Sequence, residues 1–103
     1  MIFTRRLRDD VRTGWITCSV RVWQRLHVKM GGTYRMEEGH VVVDSIREIA
    51  PDDVTVELAR RSGFASIEEL MEVARHGSGT NVYVVEFHYV PPAEAAPWDT
   101  IQV

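Results

Sequence analysis

From Trp15 to Trp23 the chain alternates without a break, and this period of two constrains its fold more than any other feature. Ile16, Cys18, Val20 and Val22 fall on one face, and Trp15, Thr17, Ser19, Arg21 and Trp23 on the other. The segment therefore reads as a strand with one core face and one face of mixed chemistry, and a strand requires partners to form a sheet. His40 to Ile49 carries the β-branched run Val41-Val42-Val43, and Asn81 to Val90 alternates Tyr83, Val85, Phe87 and Tyr89 against Val82, Val84, Glu86, His88 and Val90. A shorter extended piece, Thr33 to Met36, leads into Glu37-Glu38-Gly39, which reads as a hairpin turn.

Helical signals lie between the strands. Phe3, Leu7 and Val11 recur every four residues after Thr4 and stop at Gly14, predicting a short surface helix. Thr55 caps a second helix ending near Arg61, and Ser66 and Glu69 are spaced as a capping box for a third, with Ile67, Leu70, Met71 and Ala74 as its apolar stripe. The expected class is α+β. A chain of 103 residues supports one core, expected within residues 1–90. Residues 91–103 open with Pro91-Pro92-Ala93-Glu94-Ala95-Ala96-Pro97 and read as an extended tail, on which Trp98 and Ile101 offer weak self-association.

Apolar stretches fall far short of the roughly 20 residues that span a bilayer, so no membrane partner is expected. Charges follow Met1-Ile2-Phe3-Thr4, unlike a secretory signal, and the single Cys18 has no internal disulfide partner, so the expected compartment is the cytoplasm. Charge is unevenly spread. Residues 1–36 hold eight Lys and Arg against two Asp, whereas the whole chain carries a net charge of -3. If that basic third forms one surface it attracts phosphate or nucleic acid; otherwise its charges pair with acids across the fold.

On the mixed face of the first strand, two indoles bracket two hydroxyls and a guanidinium, with side chains two apart separated by about 7 Å. This row offers stacking surfaces and a fixed cation to a flat anion such as a nucleotide; the alternative is that both tryptophans pack in a second core. Cys18 reads as a small buried hydrophobe. His27, His40, His76 and His88 lack metal-ligand spacing, and Gly77-Ser78-Gly79-Thr80 lacks the lysine and helix of a phosphate loop. Glu68, Glu69 and Glu72 read as a solvated helix face. Neither a metal nor a cofactor is expected.

Gly14-Trp15-Ile16-Thr17-Cys18-Ser19-Val20-Arg21, then Ser62-Gly63-Phe64, Glu69-Leu70 and Val82-Tyr83-Val84-Val85-Glu86-Phe87, in that order, resemble the ASCH family of the PUA-like superfamily. The resemblance covers about residues 1–90. It implies a small, mostly antiparallel β-barrel flanked by two or three short helices, a role with RNA, and a ligand cleft along the Gly14–Arg21 segment. In that reading Arg21 and Lys29, with Arg5, Arg6 and Arg25 outside them, bind phosphate; Trp15 and Trp23 stack on bases, and Thr17 and Ser19 supply hydroxyls.

The same resemblance raises a hydrolase alternative. Some ASCH proteins deacylate acylated cytidines through G-x-K-x-x-T-x-R and a glutamate. Here Gly14 and Arg21 match and Ser19 replaces the threonine, but Ile16 stands at the lysine position and the glutamate position falls near Arg61 or Ser62. Isoleucine holds no oxyanion, so deacylation is expected to be absent or very weak. Other members resemble ribonucleases; on that pattern Trp23 and Lys29 have a comparable spacing, Lys29 would neutralise a phosphate, and Ser19 or Tyr34 would donate to it. His27 and His40 are the nearby imidazoles, and each reads as a loop or strand-edge residue.

Overall fold

The alternating segments assemble into one sheet in the computed structural model, which describes residues 3–75 and 80–92. Its elements are α1 (Arg5–Arg12), β1 (Cys18–Trp23), β2 (Thr33–Met36), β3 (Gly39–Ile49), α2 (Val56–Arg61), α3 (Ile67–Ala74) and β4 (Asn81–Val90), with a short 3-10 turn at Pro51–Asp53. The four strands are antiparallel in the order β1-β4-β3-β2 and curl into a half-barrel. The class is α+β, and three helices flank the sheet among the described residues. None of them is long and apolar enough to cross a membrane.

Burial dictates which strand is central. β4 is buried continuously from Val82 to Val85, and it pairs with β1 on one side and β3 on the other. Ser19 lies opposite Val85, Arg21 opposite Tyr83, and Val43 opposite Phe87, so these residues share one face. A bulge between Val43 and Ser45 bends β3 where it runs beyond its short partner β2. On the opposite face of the sheet from Arg21, Cys18 is buried and reduced, its sulfur 3.5 Å from the Ser62 hydroxyl just after α2.

α1 lays Leu7 and Val11 inward, and Phe3, just ahead of it, tilts against Phe87 at 5.3 Å between ring centroids. Gly63 holds the α2–α3 connection against this helix. Its φ of +94° suits glycine, and a Cβ there would stand 2.7 Å from Leu7 and Ile16 side-chain carbons. Caps fix the other helices: Leu58 N–H donates to Thr55 Oγ1, and Glu69 N–H donates to Ser66 Oγ, each at 3.1 Å. Ser66→Ala removes the α3 cap and is expected to cost about 1 kcal/mol in urea denaturation, with unchanged secondary structure by circular dichroism.

One boundary differs from the sequence expectation. β1 begins at Cys18 instead of Trp15, because the N–H groups of Trp15 and Ile16 both donate to the Asp10 carbonyl at 2.9 and 3.1 Å, tying them to the end of α1. The alternation then disappears into burial on both faces, since β1 contacts both α2 and α3. The glycine-rich turn at residues 76–79 and the expected tail with Trp98 and Ile101 lie outside the described residues.

Candidate anion-binding cavity

Arg21 is the residue on which the site is built. It is 8% exposed, yet no carboxylate partners it among the described residues. On its face of the sheet Glu48 stands beyond Tyr83, two strand spacings away, or about 10 Å. The Arg21 Nε–H donates to Ser19 Oγ at 2.7 Å, and the guanidinium carbon lies 5.0 Å from the centre of the Phe3 ring. Burial pulls the guanidinium well below its ordinary value, to about 10, which still leaves it charged at neutral pH.

An arginine carries five N–H donors and Ser19 takes one of them. No fully enclosed side-chain nitrogen or oxygen among the described residues lacks a hydrogen-bond partner, so the free Nη groups reach open space. That space is a cavity of about 590 Å³, within the roughly 300–1,000 Å³ typical of small-molecule sites. β1 contributes Ser19, Val20, Arg21 and Trp23. Phe3, Thr4 and Leu7 come from the start of α1, Val73 and Ala74 from the end of α3, and Phe64 and His27 from loops. Apart from Arg21, the walls are mainly apolar and aromatic.

Trp23 is itself 4% exposed. Its indole tilts toward Tyr83 at 5.9 Å, and the His27 imidazole stacks on it at 4.8 Å with the rings 5° from parallel. His27 is exposed and lines the cavity, so it is a loop residue, as its sequence suggests, and also the accessible end of an aromatic pile. Phe3 carried a signal as the first member of the α1 stripe. Phe64 and Val73 carried none beyond being apolar, because their place in the wall depends on how the helices cross β1.

The remaining expected site residues lie elsewhere. Trp15 is 83% exposed outside the cavity lining, and Thr17 is exposed just ahead of β1. The expected row from residue 15 to 23 is thus reduced to Ser19, Arg21 and Trp23, since the chain before Cys18 follows the end of α1. Arg6 pairs with Glu69 at 2.6 Å, and its guanidinium carbon sits 5.1 Å from the centre of the Phe64 ring, behind the wall. Arg8 pairs with Glu37, and Arg12 with Asp9 and Glu38. Part of the basic third is therefore spent on acids far along the chain. Arg5, Arg25 and Lys29 are exposed and do not line the cavity.

Ser19, Lys29 and Tyr34 are not brought together. Ser19 is on β1 and Tyr34 on β2, the two opposite edges of the sheet, about 14 Å apart across three strand spacings. The Tyr34 hydroxyl instead accepts the Lys29 backbone N–H at 2.9 Å. No cluster of His, Cys, Asp and Glu suited to a metal occurs among the described residues. Comparison of the chain with family models, curated proteins and solved structures finds no match.

Proposed function

We propose that the chain binds a nucleotide, free or within an RNA strand, in the cavity beside β1, acting as an ASCH-type, PUA-like domain. The observation that carries this reading is Arg21. A buried guanidinium with no acid beside it among the described residues costs stability, so its retention beside an open cavity makes sense when an anion completes it. The aromatic walls suit a flat base, and the curled antiparallel sheet with helices at its side is compatible with a PUA-like half-barrel. Binding is favoured over hydrolysis because Ser19 Oγ is hydrogen-bonded to Arg21 and has no base hydrogen-bonded to it among the described residues.

Titration of a labelled oligonucleotide and of a mononucleotide tests this reading. Arg21→Met is expected to weaken both by roughly ten- to a hundredfold, the scale of a lost charge-assisted hydrogen bond. The oligonucleotide should show a log-log salt slope of about -3 if Arg5, Arg25 and Lys29 also meet phosphates, whereas the mononucleotide, which carries no condensed counterions, should show a shallower salt dependence. Absence of binding by the native protein at low salt removes the proposal.

A further inference from the structure

We infer that the cavity selects a singly charged phosphodiester over a doubly charged phosphate monoester. This rests on the nucleotide reading above and adds the ligand's charge. Among the described residues, Arg21 is the one group lining the cavity with a full permanent charge. The N-terminal end of α1, at Thr4, adds a partial positive charge but no second cation.

One cation in an apolar pocket favours one negative charge. Doubling the ligand's charge doubles its attraction to Arg21, whereas the cost of taking that charge out of water grows roughly as its square. Geometry points the same way. With Nε committed to Ser19, Arg21 presents its terminal nitrogens as a planar fork, which matches the two non-bridging oxygens of a diester. Ser19 Oγ accepts from Arg21, so its own proton is free for the same group. A third anionic oxygen would meet Phe3, Trp23 or Phe64, where an esterified, uncharged oxygen is at home.

The test is calorimetry on the native protein at pH 7.5 and 5.5. The probes are adenosine 5′-monophosphate, its methyl ester, the dinucleoside monophosphate ApA and 3′,5′-cyclic adenosine monophosphate. With a second phosphate pKa near 6, about 3% of the monoester is singly charged at pH 7.5 and about three quarters at pH 5.5. The methyl ester is expected to bind at least tenfold tighter than the monoester at pH 7.5. The monoester should gain between about eightfold and about twenty-fivefold relative to the methyl ester at pH 5.5, the upper value holding where its doubly charged form does not bind.

The groups facing the cavity or Arg21 are His27 in the wall, the Arg6–Glu69 pair behind Phe64, Tyr83 opposite Arg21 and Glu48 beyond it. A positive charge on His27 would attract the doubly charged ester more than the singly charged one, so the titrations are repeated with His27→Gln: a monoester gain at pH 5.5 that persists there belongs to the ligand's own ionisation, and one that disappears overturns the rule. Tighter binding of ApA than of the cyclic nucleotide assigns the diester to an RNA strand, and the reverse to a small cyclic ligand; either supports the charge rule. A monoester equal to its methyl ester at pH 7.5 overturns the rule while leaving nucleotide binding intact. Failure of all four probes to bind overturns both.

Discussion

Replacing Arg21 by methionine is expected to stabilise the unliganded protein by about 1–3 kcal/mol while weakening nucleotide binding roughly ten- to a hundredfold. The displacement of its guanidinium from its ordinary value down to about 10 corresponds to about 3 kcal/mol of unfavourable burial. The net gain is smaller, because the hydrogen bond to Ser19 and the contact with Phe3 are lost as well. Burial lowers this pKa relative to the unfolded chain, so the penalty is present throughout the range below about pH 10. It lifts only as pH rises above about 10 toward the ordinary arginine range.

The stability difference between native protein and variant should therefore be flat from pH 6 to 9. In differential scanning calorimetry it corresponds to a melting temperature raised by roughly 5–15 °C. A variant destabilised by more than about 1 kcal/mol would show that Arg21 is a strut of the fold, and the ligand reading would lose its basis.

The largest loss of stability is expected for Phe87→Ala, about 3–5 kcal/mol, a large share of the 5–15 kcal/mol that holds a typical domain. Phe87 is 2% exposed on the central strand, and its ring backs Phe3, which in turn lies against the Arg21 guanidinium. Deleting it opens a void under the cavity wall as well as in the core. Phe87→Leu keeps most of the volume and should cost less than about 2 kcal/mol, yet still loosen Phe3 and weaken nucleotide binding. Urea denaturation of both variants measures the first effect and titration of the leucine variant the second. An alanine variant that loses under about 1 kcal/mol would place the core elsewhere.

Local rules made much of the fold legible. Thr55 and Ser66 cap the helices they were expected to open, and the alternation of residues 81–90 marks β4. Period alone did not reveal that β4 is central, since a two-sided burial erases the contrast between faces on which such reading relies. The candidate site was half visible. Ser19, Arg21 and Trp23 share one face by spacing, but the departure of Trp15 depends on hydrogen bonds to Asp10 that no pattern announces. The partners of Arg6 and Arg8 lie 63 and 29 residues away, and the stacking of His27 on Trp23 depends on a loop path. Charge excess in the first third thus overstated the free cations, because cancellation occurs in space and not along the chain.

The order of the strands also sets when the molecule becomes competent during synthesis. The ladder partner of β1 is β4, so Ser19 waits for Val85 and Arg21 for Tyr83, more than sixty positions downstream. A nascent chain emerging from the ribosome has its basic first third in the open long before that pairing is available. Until the last strand arrives, Arg21 remains hydrated and its cavity does not exist, which couples ligand recognition to completion of translation through at least Val90.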